Sequence, residues 1–168
     1  MASGSDSAGV TAKSKTADFP KPMLVIDTRE QTPLVFHNLP SVTGTLQSGD
    51  YSIRGAEELF AIERKSVADI VGCCCGDSRE RFERELHRLR GFRFKRLLVV
   101  GCRAEVEQHR YQSRVEPKVV LHSLNAWECR YDIPVAWQPD AVAAALQVEQ
   151  WAFWFHRELL KNAKRLEC

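Results

Sequence analysis

The sequence contains no apolar run long enough to span a membrane, and its amino terminus lacks the hydrophobic segment of a secretory signal. These absences argue against an integral membrane protein and a secreted protein, so we expect a cytoplasmic chain with no membrane partner. At 168 residues, of which 44% are hydrophobic, the chain is long enough for one domain with its own core.

Zinc-ligand spacing is also missing. The sequence has six cysteines but no C-x-x-C pair, and three of them are adjacent, at Cys73, Cys74 and Cys75. Structural zinc sites usually combine paired cysteine or histidine ligands, so the pattern argues against one. We interpret the cysteines as free thiols in a reducing compartment, and the run of three as small side chains at a close helix contact.

Charge of one sign is not in excess, because the formal net charge is only +2 at pH 7. The positive charge is concentrated locally: residues 79–96 contain eight Arg or Lys residues and three acidic residues. A local basic stripe is typical of a surface that binds a polyanion. A solvated helix face with ion pairs between successive turns would explain the same charges.

The first part of the chain predicts a leader followed by strands. Residues 1–20 are small, polar and aperiodic, which is typical of a disordered leader, and a single domain is predicted over residues 21–168. Short turns should join its first strands in a hairpin-like meander. These predicted strands are residues 23–28, 43–54 and 58–64.

Helices and strands are then predicted to alternate. A helix should begin near Val67, break between Gly72 and Gly76, and restart with a cap at Asp77. The later elements are a strand at 96–101, a polar connection at 103–116, a helix from Pro117, a strand at 133–137 and a helix from Asp140 to about Lys161. This order predicts an α/β fold with a mixed central sheet flanked by helices, in which the two later strands are parallel.

Four acidic residues should meet at one edge of this sheet. Asp27 and Glu30 lie at the end of the first strand, Asp50 lies in the second and Glu63 ends the third. Carboxylates only a few ångströms apart cannot all stay ionised without a cation. Their oxygen atoms are ligands that suit Mg²⁺ or Mn²⁺. Lys65 shares a strand face with Glu63, where it can orient or deprotonate a water or neutralise a phosphate. Surface ion pairing is the alternative interpretation.

Three motifs around these residues are similar to the signature of one nuclease family. They are Ile26-Asp27-Thr28-Arg29-Glu30, then Gly49-Asp50-Tyr51, then Glu63-Arg64-Lys65-Ser66 with Asp69. The sequence resembles the nuclease domain of the XPF/Hef structure-selective endonucleases, within the PD-(D/E)XK superfamily, whose pattern is V/I-D-x-R-E, G-D and E-R-K-x-x-x-D. The resemblance covers about residues 23–160 and implies a restriction-endonuclease-like fold.

The resemblance implies a metal site built from the acidic cluster. Asp50 and Glu63 would bind Mg²⁺ or Mn²⁺ together with the main-chain carbonyl of Arg64. Asp27 would complete this ligand set, and Glu30 would extend the cluster as a further catalytic acid.

The resemblance also implies roles for the basic residues. Lys65 would be the catalytic lysine, while Arg29, Arg64 and Asp69 would orient the cluster and meet the phosphate. Asp69, in the first turn of a helix, can equally cap that helix or pair with Arg64. Arginines of the basic stripe would bind DNA phosphates beside the site, as would Arg29. They are Arg79, Arg81, Arg84 and Arg88.

The function implied is a metal-dependent endonuclease that hydrolyses phosphodiester bonds in branched or flap DNA, in repair, recombination or phage DNA processing. The alternatives are a nuclease-fold module that binds DNA without cutting it, and a PD-(D/E)XK nuclease for restriction or junction resolution. Family members often append a tandem helix-hairpin-helix domain. We do not expect one here, as in a compact form from a bacterium or a phage-infected cell. Aromatic residues at 151–155 predict core packing on one side of the last helix and a partner surface on the other. The resemblance implies that this partner is a second copy of the chain, because nuclease domains of the family pair through helices in this region.

Overall fold

The computed structural model describes residues 19–166, so nearly all of the predicted leader, residues 1–20, lies outside the described residues. In this described part of the chain, six strands form one sheet. They are β1 (Leu24–Asp27), β2 (Ser41–Gly44), β3 (Tyr51–Ile53), β4 (Phe60–Ser66), β5 (Phe94–Val100) and β6 (Val135–Gln138). Their order across the sheet is β2-β1-β3-β4-β5-β6.

The sheet is mixed, as the sequence predicts. β1 is parallel to β2 and antiparallel to β3, and β3 is antiparallel to β4. β4, β5 and β6 are parallel to one another. The two later strands are therefore parallel neighbours beside the early strands, which confirms that part of the prediction.

Within residues 19–166, five helices cover the sheet. They are α1 (Val67–Gly72), α2 (Gly76–Leu89), α3 (Arg103–Glu107), α4 (Pro117–Tyr131) and α5 (Ala141–Leu166). Helices α1 to α4 bury one face of the sheet, and α5 buries the other together with the loop that contains Leu34 and Leu39. Within β5, Leu97 and Leu98 enter opposite cores, because successive strand residues point to opposite faces. None of the helices in residues 19–166 combines the length and apolar character needed to cross a membrane.

The prediction of one strand over residues 43–54 is wrong. The structure divides this segment into β2 and β3, which pair with β1 on opposite sides and in opposite directions. Between them the backbone turns at Gly49, where φ is +80°, a conformation that favours glycine. The parallel pairing of β1 and β2 excludes a hairpin between them, whereas the consecutive strands β3 and β4 pair antiparallel, as the meander predicts.

The predicted helix break between residues 72 and 76 is confirmed, but the predicted cap is not. α2 begins at Gly76 after Cys75, so Asp77 lies in the first turn of the helix rather than before it. Cys74 is buried in the core, whereas Cys75 is exposed, so only part of the cysteine run packs closely. Asp140 caps α5 as predicted, because its carboxylate accepts a 2.8 Å hydrogen bond from the Ala143 amide.

Candidate active site

Asp50 lies between β1 and β4 because backbone hydrogen bonds hold it from both sides. Its amide donates to the carbonyl of Ile62 at 2.8 Å, and its carbonyl accepts from the amide of Asp27 at 2.8 Å. Gly49 allows this approach: a Cβ there would lie 3.1 Å from the Ile62 carbonyl oxygen. The Gly-Asp motif therefore places one carboxylate where three strands meet.

Asp27 is 2% exposed and uses both carboxylate oxygens on protein donors. Oδ1 accepts from the Arg29 amide at 2.8 Å and from Arg29 Nε at 2.7 Å. Oδ2 accepts from the Leu46 amide at 2.7 Å and from Arg29 Nη2 at 3.1 Å. Burial opposes ionisation, but the hydrogen bonds from Arg29 and Leu46 outweigh it and lower the pKa of Asp27.

Glu30 forms a second ion pair, with the arginine of the Glu-Arg-Lys motif. Arg64 donates from Nε at 3.0 Å and from Nη2 at 2.9 Å, one bond to each Glu30 oxygen, and its Nη2 also reaches Thr32 Oγ1 at 2.7 Å. Both side chains are largely buried, at 15% and 6% exposed. Burial opposes the charge of Glu30, yet these bonds lower its pKa. The Arg64 guanidinium therefore neutralises Glu30.

Asp50 and Glu63 form the remaining pair of acids, and neither accepts a hydrogen bond from an arginine side chain in the described structure. Asp50 Oδ2 accepts from the Arg64 amide at 2.7 Å, and Glu63 contacts Lys65. Burial raises the pKa of Asp50 to about 6. Burial first, and then the neighbouring Asp50 charge, also raises the pKa of Glu63. These two carboxylates carry an unfavourable charge that the arginines have not relieved.

Lys65 supplies the positive charge beside this pair. Its Nζ lies 2.7 Å from Glu63 Oε1 and 3.9 Å from Glu85 Oε2, and it lies 5.3 Å from the centre of the Phe82 ring. Burial opposes the charge, but Glu63 outweighs it and raises the pKa of Lys65. The side chain is therefore an ammonium ion, which suits charge neutralisation and water orientation better than proton abstraction.

Glu85 is a site residue that the sequence motifs do not include. It lies on α2, three residues after Phe82 and one before Leu86, both of which are buried. This spacing puts Glu85 at the edge of the buried helix face, which is the signal that could have indicated it.

Asp69 caps α1 and does not pair with Arg64. Its Oδ2 accepts from Ser66 Oγ at 2.7 Å and from the Ser66 amide at 3.2 Å, while its own amide donates to Ser66 Oγ at 3.1 Å. Arg64 is instead paired with Glu30. A direct catalytic role for Asp69, which lines the cleft beside Lys65, stays a prediction.

An open cleft of 530 Å³ lies over these residues, between the sheet and α2. Arg29 and Arg81 line it together with Asp50, Lys65 and Glu85. The protein therefore presents both acidic and basic groups to anything that enters the cleft.

The stripe of arginines does not face this cleft as one surface. Arg79 turns towards α4: it pairs with Glu83 at 3.0 Å, donates to Ser123 Oγ at 2.8 Å and lies 5.2 Å from the centre of the Trp127 ring. Arg84 and Arg88 line a separate depression on the exposed side of α2. The expectation that all four arginines lie beside the site is therefore wrong, since Arg79 is occupied by packing against α4.

The four acidic residues do not share one cation in this arrangement, because two of them bind arginines. Among residues 19–166, no three carboxylate, histidine or cysteine side chains form a group that could hold a metal ion. The pair Asp50 and Glu63 still fits a divalent cation, because it offers two carboxylates that accept no hydrogen bond from an arginine side chain within residues 19–166. A cation would also relieve the repulsion that helps to raise the pKa of Glu63. Mg²⁺ usually takes only one or two carboxylates and keeps several waters, so two carboxylates are a sufficient set.

The mixed sheet, with its acidic residues where β1, β3 and β4 meet, defines a restriction-endonuclease-like α/β domain. The chain belongs to the ERCC4 domain family, whose model matches residues 26–148 and so includes all three motifs. This match confirms the resemblance to the XPF/Hef family.

Solved structures with this fold include XPF from Aeropyrum pernix, with a TM-score of 0.63 and 21% identity over 78% of this chain and 60% of that one. XPF from Aeropyrum pernix in complex with DNA matches with a TM-score of 0.62 and 20% identity over 82% of this chain and 66% of that one. The chain thus spans slightly less than two thirds of those structures. Among proteins with curated descriptions, none matches significantly.

Proposed function

We propose that the protein is a metal-dependent DNA endonuclease that hydrolyses phosphodiester bonds. The observation that carries the proposal is a pair of carboxylates, the buried Glu63 and the partly buried Asp50, under an open cleft beside the Lys65 ammonium. Within residues 19–166, neither accepts a hydrogen bond from an arginine side chain. Asp27 and Glu30, the other two acids of the cluster, each pair with an arginine side chain. Asp50 and Glu63 lack such an arginine pair in the described residues, and this difference supports a chemical role for them.

The residues proposed to hold Mg²⁺ or Mn²⁺ are Asp50, Glu63 and the main-chain carbonyl of Arg64. When bound, the ion would supply a Lewis acid that activates water and stabilises charge on the phosphate. The Asp50 carboxylate is held in position before any ion binds, because its Oδ2 accepts a 2.7 Å hydrogen bond from the Arg64 amide. The Asp27 carboxylate, whose oxygens accept four hydrogen bonds, is less available as a ligand.

Lys65 is proposed as the catalytic lysine. Its ammonium can donate to a non-bridging phosphate oxygen or to the attacking water, and it would balance negative charge as the phosphorus becomes five-coordinate. Because its pKa is raised, it keeps its proton over the neutral pH range. Arg64 and Glu30 act on this site indirectly, by fixing the backbone that holds Asp50 and Glu63.

DNA is the proposed substrate, and its phosphates would lie along the exposed face of α2. Arg81 and Arg29 line the cleft, and Arg84 and Arg88 follow Arg81 at spacings of three and four residues onto the exposed side of α2. The similarity to a structure of XPF in complex with DNA supports this substrate. We propose that Arg79 contributes to helix packing instead.

Branched or flap DNA is the proposed substrate geometry, with repair, recombination or phage DNA processing as the process. Purified protein with flap, fork, four-way-junction and duplex DNA would test it, with and without Mg²⁺ or Mn²⁺ and with Asp50→Ala and Lys65→Ala. We expect metal-dependent cleavage, highest on flap or fork DNA, that both variants lose. Tight binding without cleavage in either metal would instead support a non-cutting DNA-binding module. Preferred cleavage of four-way junctions would support a junction-resolving nuclease.

A homodimer through α5 is proposed as the assembly. Trp154, Leu146 and Val142 are 55%, 46% and 70% exposed on this helix, which is a large apolar surface for a folded chain. Light scattering on the wild type and on Leu146→Asp would test it. We expect a dimer whose dissociation constant rises in the variant, and a monomeric wild type at micromolar concentration would contradict it.

A further inference from the structure

Lys65 lies between two carboxylates that belong to different elements. Its Nζ is 2.7 Å from Glu63 Oε1 on β4 and 3.9 Å from Glu85 Oε2 on α2. The Glu63 side chain is 6% exposed, whereas that of Glu85 is 34% exposed and lines the cleft. One carboxylate therefore draws the ammonium into the sheet, and the other draws it towards the cleft.

Glu85 is held in place by the packing of α2. Phe82 and Leu86, on either side of it along the helix, are buried in the core. The Phe82 ring also contacts the ammonium, with its centre 5.3 Å from Nζ. Because α2 is packed in the core, the distance between the Glu85 carboxylate and β4 is fixed. A carboxylate on a loop could change this distance more easily.

We propose that Glu85 is a positioning residue that holds the Lys65 ammonium on the cleft side of Glu63. The inference rests on the proposed function, in which Lys65 meets a phosphate and Glu63 offers its oxygens to a cation. Within the described chain, Lys65 pairs with these two carboxylates only. Without Glu85, the ammonium would lie against Glu63 alone, where it is farther from an entering phosphate and covers an oxygen that the proposed site needs.

A double-mutant cycle on unfolding tests the pair without any requirement for cleavage. Wild type, Lys65→Met, Glu85→Gln and the double variant would be unfolded in urea without divalent cations. We expect Glu85→Gln to raise the unfolding equilibrium constant by about 1.5- to 5-fold when Lys65 is present, and not when it is Met. Equal effects in both backgrounds would show that Glu85 does not hold Lys65, and would overturn the proposal.

Steady-state cleavage separates positioning from simple charge. Glu85→Gln should lower kcat by about 5- to 50-fold while KM stays constant or falls, because the cleft loses one negative charge. Glu58→Gln is the control for loss of one negative charge, since Glu58 is exposed and does not line the cleft. An unchanged kcat in Glu85→Gln would overturn the positioning role. A wild type that cleaves no DNA would refute the proposed function, and the unfolding cycle would still decide whether Glu85 holds Lys65.

Discussion

Two pairs of acidic residues lie at the same part of the sheet, and they differ in what neutralises them. Asp27 and Glu30 each bind an arginine side chain, and their pKa values are lowered. Glu63 is buried and Asp50 partly buried, Lys65 pairs with Glu63, and the pKa values of both acids are raised. Closeness to the cleft therefore does not make an acid a metal ligand. Whether the fold pairs an acid with an arginine side chain is the better indication of its role.

The largest difference between the pairs should appear in catalysis. Asp50→Asn should lower kcat by about 100-fold or more, because it removes a charged oxygen ligand while keeping the shape of the side chain. Glu30→Gln is the matched comparison at the other pair and should lose much less, because Gln can still accept a hydrogen bond from Arg64. Single-turnover cleavage of flap DNA measures both. Equal losses would remove the distinction between the pairs.

The next largest difference should appear in stability. Asp27→Ala should lower the free energy of unfolding by about 2–4 kcal/mol, because it leaves the buried Leu46 amide and the Arg29 guanidinium without their acceptor. Urea unfolding at pH 7 gives this value. A variant as stable as the wild type would show that the Arg29 pair is incidental to the fold.

Asp50→Asn should act on stability in the opposite direction. Burial raises the pKa of Asp50 from 3.8 to about 6, so the folded state holds the proton more tightly than the unfolded state. This stabilising contribution is full below pH 3.8 and is lost as the pH rises to about 6. At pH 7.5 without divalent cations, the uncharged variant should therefore be more stable by about 1–2 kcal/mol, less than a fully desolvated group would give.

Unfolding at pH 4 and at pH 7.5 checks this sign. The advantage of Asp50→Asn should be present at pH 7.5 and nearly absent at pH 4. A stability difference in favour of Asp50→Asn that grows towards low pH would mean that Asp50 is stabilised as an anion, like Asp27. Asp50 would then have a structural role.

The smallest expected effects concern DNA binding. Arg81→Gln should weaken binding about 2- to 5-fold and reduce the salt dependence by close to one phosphate contact. Arg79→Gln is the matched control on the same helix, and it should alter stability rather than affinity, since Arg79 binds Glu83 and Ser123. Fluorescence anisotropy across a salt series measures both. Equal loss of affinity in the two variants would contradict the division of the stripe.

Local patterns in the sequence were sufficient for most elements and for the identity of the motif residues. They could not show that residues 43–54 form two strands. The position of β2 depends on its parallel pairing with β1, which the sequence of β2 itself does not indicate. They also could not show that Arg29 and Arg64 neutralise two of the acids, since adjacency along the chain does not tell which oxygen a guanidinium reaches. The motifs do not include Glu85, because its closeness to Lys65 comes from the packing of α2 against the sheet. Its spacing from Phe82 and Leu86 indicates only that it lies at the edge of the buried helix face.

The central claim is that the cation belongs to Asp50 and Glu63, and not to the acids that bind arginine. Calorimetric titration of Mn²⁺ into wild type, Asp50→Asn and Glu30→Gln at pH 7.5 tests it most directly. We predict that the wild type binds Mn²⁺, that Asp50→Asn loses this binding and that Glu30→Gln retains it. Wild-type affinity in Asp50→Asn, or loss of binding in Glu30→Gln alone, would contradict the claim.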